Sequence, residues 1–223
     1  MYKFLKRFTD ILIATITLIV LSPVFIIVIV VLMLTGEHEV FYSQKRIGYK
    51  NKPFRIWKFA TMCKNSSSIG SKEITLRNDP RVTKFGRILR RTKINELPQI
   101  INVYKGEMSI VGPRPLMEVS FNLYSEKVKR LIYESKPGIT GIGSLIFRDE
   151  EKTISEAVDP QKMYASIYPY KGELELWYLK NASIAVDTKI IFLTAWCIIF
   201  PRNNLCLKVF KTLPVKEEVV LID

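Results

Sequence analysis

The stretch from Asp79 to Pro115 combines basic side chains, a carboxylate and rigid turns in a way that suits phosphate chemistry. Asp79-Pro80 reads as a helix start, with Asp as the cap and Pro at the first helical position. Val82, Phe85, Ile88 and Leu89 follow at helical spacing, and Arg81, Lys84, Arg87, Arg90 and Arg91 take most of the other face. Such a face is either a solvated basic surface or one that gathers phosphates and headgroups. A second short helix is predicted from about Asn95 to Tyr104, because Leu97, Ile100, Ile101 and Tyr104 repeat at i, i+3, i+4 and i+7. Asn95 and Glu96 fall in its opening turn beside Pro98, where free N–H groups and the positive pole of the helix dipole favour phosphate. Lys105-Gly106 closes it. Ser109-Ile110-Val111 reads as an extended piece leading into Gly112-Pro113-Arg114-Pro115. Two prolines around one arginine restrict its backbone and so direct its guanidinium. Alone, Pro-Arg-Pro is only a turn.

These residues belong to a chain of 223 with 34 Lys+Arg against 21 Asp+Glu, a formal charge of +13. The length allows one or two compact domains, and 48% hydrophobic with 25% charged residues excludes a disordered or collagen-like chain. The charge implies anionic partners, whether phospholipid headgroups, nucleotide phosphates or nucleic acid. Cys63, Cys197 and Cys206 are too few and scattered for a disulfide framework or zinc cluster, so they read as reduced thiols facing the cytosol. A mean hydropathy of +0.12 directs attention to Ile11–Leu34, an uncharged run broken only by Thr15, Thr17, Ser22 and Pro23. A bilayer crossing takes about 20 apolar residues, so the length permits a span. Ser22-Pro23 at its middle predicts a bend, because proline removes a donor and clashes with the preceding turn. Lys3, Lys6 and Arg7 precede the run and Lys45, Arg46, Lys50 and Lys52 follow it, which the positive-inside tendency places on one side. A re-entrant helix satisfies both features, with an ordinary span as the alternative. No small-residue cleavage site follows, which argues against a signal peptide.

Val40–Met62 reads as a β-hairpin, with Phe41-Tyr42 and Phe54–Phe59 flanking the turn-rich Gly48–Pro53. Asn65–Gly70 is a polar loop. A helix is expected from Leu116 to about Ser135, stopping at Lys136-Pro137-Gly138. Ile190–Phe200 is too short to span, so it is a buried or interfacial helix, and Lys189, Trp196 and Arg202 favour the interface. Glu173 and Glu175, two apart, would share one face of a strand but not of a helix. They read as ion-paired or solvated residues, with contact to a substrate sugar as the alternative. Trp177 and Tyr178 read as core. His38, the one histidine, lies beside Glu37 and Glu39 just past the apolar run and reads as non-catalytic. The expected fold class is α/β (α+β): a helix-rich compact cytoplasmic domain with a short β-hairpin, residues 37–223, on an N-terminal re-entrant membrane helix, residues 1–36.

Taken in order, these pieces resemble the bacterial sugar transferases, the monotopic polyprenyl-phosphate phosphoglycosyl transferases, in their small form. The resemblance runs over nearly the whole chain: Ser22-Pro23, Gln44-Lys45-Arg46-Ile47-Gly48, Lys58-Phe59-Ala60-Thr61-Met62, Asp79–Gly86, Asn95-Glu96-Leu97-Pro98-Gln99, Val111–Pro115, Lys136–Gly141 and Glu173–Tyr178. It implies transfer of a sugar-1-phosphate from a UDP-sugar to undecaprenyl phosphate, releasing UMP and starting a lipid-linked glycan. It also implies Mg²⁺ on Glu96, Arg90 and Arg114 as phosphate ligands, membrane lipid as a further partner, and a place at the bacterial inner membrane facing the cytoplasm. A hard cation prefers carboxylate oxygen, and the planar arginine fork suits phosphate.

One position departs from the family's pattern. Its usual pair here is Asp-Glu, the Asp being the covalent nucleophile, and this chain has Asn95-Glu96. A carboxamide is a poor nucleophile. Three routes stay open: direct transfer with Asn95 positioning phosphate, a different carboxylate (Glu96, Glu107 or Asp79) as nucleophile, or a catalytically impaired relative acting as a membrane-docked adaptor. A nucleic-acid binder is the remaining rival, and the interleaving of basic residues with a phosphate-and-metal constellation argues against it.

Overall fold

The structure, a computed structural model, describes residues 1–64, 66, 79–200 and 205–214. The polar loop expected over Asn65–Gly70 lies outside them except for Ser66, as does Arg202.

Helix α1 (Tyr2–Val20) and helix α2 (Ser22–Leu34) meet at 60° across Leu21. Pro23 sits in the first turn of α2, where its missing N–H has no helical partner to lose. Ser22 Oγ donates to the Ile19 carbonyl at 2.8 Å. The bend is therefore where the proline predicts it. Among the described residues no single helix is long and apolar enough to cross a membrane, but the bent pair meets that test together. Ile16, Ile19, Ile26, Ile27 and Leu34 leave its outer surface exposed and apolar.

Helix α1 begins well before the apolar run because its first turns dock on the body. Arg7 donates to the Val103 and Tyr104 carbonyls at 2.6 and 2.9 Å, occupying the C-terminal end of a neighbouring helix. Asp10 is buried and accepts from Ser109 Oγ at 3.0 Å and the Ile110 N–H at 2.9 Å. Lys6 pairs with Asp187 at 2.6 Å, an acid that also receives the Tyr2 and Tyr178 hydroxyls.

Strands β1 (Phe41–Ile47) and β2 (Pro53–Phe59) form the expected antiparallel hairpin, joined by a 3-10 turn at Tyr49–Asn51. Its register pairs Gln44 with Ile56 and Arg46 with Phe54. Alternation then puts Gln44 and Arg46 on the same face as Phe54, Ile56 and Lys58.

Three expected helices change. Asp79 caps nothing. Its carboxylate pairs with the buried Arg81 side chain at 2.6 Å, which takes Arg81 off the basic face. Val82 bridges to Met62, and α3 (Lys84–Arg91) starts later, with Thr83 Oγ1 accepting from the Gly86 N–H at 3.0 Å. The helix expected from Asn95 splits into a 3-10 turn (Ile94–Glu96) and α4 (Gln99–Lys105). Pro98 has no N–H to bond the Ile94 carbonyl, so the Leu97 N–H takes it at 3.0 Å and the turn tightens. Gly106 closes α4 as expected, at φ 85° in the left-handed region. Strand β3 (Ser109–Val111) is extended as expected. The helix expected over Leu116–Ser135 divides into α5 (Glu118–Phe121), α6 (Glu126–Leu131) and a 3-10 turn at Ile132–Glu134. Ser125 starts α6 anew by accepting from the Val128 N–H.

Strand β4 (Gly138–Thr140) pairs parallel with β3, and the rest is helical: α7 (Ile142–Ile146), α8 (Glu150–Ser155), α9 (Pro160–Ser166), α10 (Tyr168–Asn181), α11 (Ile184–Ile199) and α12 (Leu205–Val209). Helix-rich with two small sheets, the fold agrees with the expected class. Ile132, Tyr133, Ile142, Leu174, Tyr178, Ile190 and Leu193 build the main core, with Trp177 packed against it. On α11, Ile190 and Leu193 enter that core, while Phe192, Ile198 and Ile199 are exposed. Glu173 and Glu175 lie on helix α10, not on a strand, so they point apart: Glu173 is exposed and Glu175 is 3% exposed.

Candidate active site

The hairpin face, the Pro-Arg-Pro segment and the 3-10 turn before α4 converge on Glu96. Its Oε1 lies 3.3 Å from Lys58 Nζ and 3.2 Å from Arg114 Nη2. Arg46 reaches the Pro115 carbonyl at 3.4 Å, so its charge stands behind Arg114. Arg46, Ile56, Lys58, Gln99, Arg114 and Pro115 line a small cleft.

The electrostatics follow from one acid among several cations. Burial alone would raise the Glu96 carboxyl, but Lys58, Arg114 and Lys93 outweigh it and hold it well below the usual carboxylate range. Burial brings Lys58 down to about 8 against the opposing pull of Glu96, and Arg46 down to about 10 with help from the like charge of Arg114. The Glu96 charge raises Arg114. With cations in excess, the cleft is ready for an anion carrying more than one charge, as a diphosphate does.

Asn95, one residue before Glu96, is buried, and its Oδ1 has no hydrogen-bond partner among the described residues. Buried carbonyl oxygens are nearly always satisfied, so this one calls for a partner. Among the described residues no three His, Cys, Asp or Glu side chains gather to hold a metal ion. Mg²⁺ does not need such a cage. It binds through one or two protein oxygens and takes its remaining ligands from water and substrate phosphates. By donor type the Glu96 carboxylate fits that requirement, and the unpartnered Oδ1 of its chain neighbour Asn95 is an oxygen of the same hard kind.

Of the residues singled out from the sequence, Glu96 and Arg114 therefore meet, and Asn95 is buried next to Glu96 in the chain. Arg90 is half-buried on α3, its charge acts on Asp79, and it makes no ion pair with Glu96 among the described residues. Ser22 and Pro23 form the helix bend. Two of the alternative carboxylates are engaged elsewhere, Asp79 with Arg81 and Glu107 with the Asn102 side chain at 2.7 Å. His38 is exposed, bonded to the Met33 carbonyl at 2.8 Å. Lys58, Arg46 and Gln99 were missed as site residues. The hairpin held a signal for the first two, since period-2 alternation places both cations on a face whose other members include Phe54 and Ile56.

A family model described as Bacterial sugar transferase matches residues 1–201. The chain belongs to the bacterial sugar transferase family. Similar proteins include the UDP-glucose:undecaprenyl-phosphate glucose-1-phosphate transferase of Escherichia coli K12, 38% identical over 87% of this chain and 40% of the relative. The uncharacterized sugar transferase EpsL of Bacillus subtilis is 39% identical over 85% of each chain. The UDP-N-acetylgalactosamine-undecaprenyl-phosphate N-acetylgalactosaminephosphotransferase of Aeromonas hydrophila is 34% identical over 86% of this chain and 43% of the relative. The chain thus spans less than half the length of the E. coli and Aeromonas proteins. In this sugar transferase the matched region takes in the hairpin, the Glu96 turn, the Pro-Arg-Pro segment and α10, so the whole cleft lies within it.

Proposed function

We propose that this chain transfers a sugar-1-phosphate from a UDP-sugar to undecaprenyl phosphate at the cytoplasmic face of the bacterial inner membrane. The observation that carries the reading is Glu96 held between Lys58 and Arg114. The relatives' names support donor and acceptor classes, and the bent apolar helix pair supports re-entrant anchoring next to a lipid substrate. The open apolar face of α11 supports a second contact with the interface.

In the reaction an oxygen of the acceptor phosphate forms a bond to the sugar-bearing phosphorus. The bond from that phosphorus to the UMP phosphate breaks, and UMP leaves with the electron pair. Charge accumulates on phosphate oxygens throughout, so positioning and neutralisation supply the catalysis. Arg114 and Lys58 bind these oxygens once the diphosphate displaces part of their hold on Glu96. Arg46 holds the Arg114 segment through the Pro115 carbonyl. Arg90, one helix away, is the candidate for a further phosphate oxygen. Glu96 and Asn95 would hold Mg²⁺, which when bound neutralises the diphosphate. Asn95 supplies no nucleophile, and direct transfer is the route this side chain suits.

The test is UMP release from a panel of UDP-sugars with undecaprenyl phosphate, with and without Mg²⁺. Release that depends on the lipid acceptor is expected. None across the panel would leave the docked adaptor, which the Asn95 substitution favours. Asn95→Asp is expected to fold and retain transfer. Brief exposure to UDP-sugar labelled at the sugar-bearing phosphate should leave the wild type unlabelled and the Asn95→Asp variant labelled at residue 95. A label on any wild-type carboxylate rules out direct transfer. Cysteine labelling in intact cells is expected to find residues before α1 and after α2 on the same side, and opposite sides would refute re-entrant anchoring.

A further inference from the structure

We infer that Tyr133 is a positioning residue for Arg114: its hydroxyl bridges the main chain on both sides of Pro115 and so fixes where the guanidinium is aimed. The hydroxyl donates to the Arg114 carbonyl at 2.8 Å and accepts the Leu116 N–H at 3.0 Å. A carbonyl and the N–H two residues on are the groups that a γ-turn joins. Here the phenol oxygen stands between them and holds the segment open at Pro115. Backbone groups anchor the flanks. The Pro113 carbonyl accepts the Gly138 N–H at 2.9 Å, and the Leu116 carbonyl accepts the Ile47 N–H at 2.8 Å. Arg114, between those anchors, is tied by a side chain, and it is the residue whose guanidinium reaches Glu96 at 3.2 Å.

The phenol is itself fixed. Tyr133 lies in the 3-10 turn after α6, is 1% exposed, and stacks on Phe121 of α5 with ring centroids 5.9 Å apart. Burial raises the hydroxyl above the usual phenol range, so it keeps its proton and can donate and accept at once. Phenylalanine would fill the same space and keep the stack. It would leave the Arg114 carbonyl and the N–H of the buried Leu116 without this partner. Packing therefore accounts for an aromatic ring at residue 133, and the bridge accounts for its hydroxyl.

The inference rests on the proposed transfer reaction, so the test reads UDP binding as well as turnover. Tyr133→Phe should lower kcat/KM for UDP-sugar by about 30-fold, within the ~10²-fold that a misplacement near 1 Å can cost, and weaken UDP binding. The control is Tyr170→Phe, which removes another tyrosine hydroxyl from a main-chain carbonyl, that of Pro214, outside the cleft. It should lower Tm in the same way and leave kcat/KM within about 3-fold of wild type. In an Arg114→Ala background Tyr133→Phe should cost less than about 3-fold further, because its effect runs through Arg114. Tyr133→4-aminophenylalanine, whose amine still donates to the carbonyl, should fall between wild type and phenylalanine, and it takes that variant's place if phenylalanine does not fold. A full loss in the Arg114→Ala background, an equal kinetic loss in Tyr170→Phe, or a folded Tyr133→Phe protein with wild-type binding and turnover would overturn the inference. A wild type that binds UDP but releases no UMP would count against the reaction, and the binding series would still decide the role of Tyr133.

Discussion

Glu96→Gln is expected to lower UMP release by about 10³-fold while leaving membrane binding unchanged, a loss at the upper end of what removing one charged group from a preorganised site costs. The amide keeps the shape and loses the charge that Lys58 and Arg114 share at 3.3 and 3.2 Å. It also replaces the carboxylate with a far weaker oxygen ligand for a hard cation. Stability should fall too, by about 2 kcal/mol, the scale of a hydrogen bond to a charged group. Loss of a fully buried pair would cost more, but the Arg114 side chain is 45% exposed and partly screened. The pH dependence has a definite sign. The folded-state pKa of Glu96 lies below its ordinary value of 4.5, so its contribution is present above that pH and lost as pH falls through the folded value. Melting temperatures of the variant and the wild type should therefore differ most above about pH 5 and converge in acid. Turnover within tenfold of wild type, or a Tm difference that grows on acidification, would remove Glu96 from the centre of the site.

Where the controlling interaction is local, the sequence was a good guide. The hairpin follows from alternation and a turn-rich connection, and the helix bend from a proline whose effect reaches one turn. The predictions failed where a distant or competing partner decides. Asp79 offers a cap, but its carboxylate finds Arg81 two residues on, and the helix start moves to Thr83. Glu173 and Glu175 have a strand's spacing, yet on α10 they point apart, and the burial of Glu175 depends on Gly143, a glycine 32 residues earlier. The site shows the same division. Asn95, Glu96 and Arg114 were visible as types in a short stretch, and the fold pairs Arg114 with Glu96 beside the cleft. Lys58 and Arg46 come from a hairpin whose inner face can be read by alternation, but that this face meets Glu96 is a tertiary fact. Arg90 and Arg114 look equivalent as arginines in a basic stretch. Only one of them is clamped beside the acid.

That difference sets the second large effect. Arg114→Lys is expected to lower kcat/KM for UDP-sugar by about 10²-fold, although the charge is conserved. Lysine replaces a planar fork with a point charge on a flexible stem, so it cannot bridge two phosphate oxygens in one fixed geometry. The backbone would not compensate, because the flanking prolines and the Tyr133 bond at 2.8 Å hold the residue where the longer, forked side chain fits. Arg90→Lys should cost about tenfold or less, the range of one weaker phosphate contact, since Arg90's charge falls on an Asp79 already paired with Arg81. The two losses should also differ in kind. At Arg114 both KM for UDP-sugar and kcat should worsen, because the diphosphate is bound and neutralised there before and during transfer. At Arg90 the change should appear in KM with kcat nearly intact. Steady-state kinetics of the two lysine variants with one UDP-sugar check this directly. Equal losses, or a larger one at Arg90, would mean that the reacting phosphates lie over α3 and not in the cleft beneath the Pro-Arg-Pro segment.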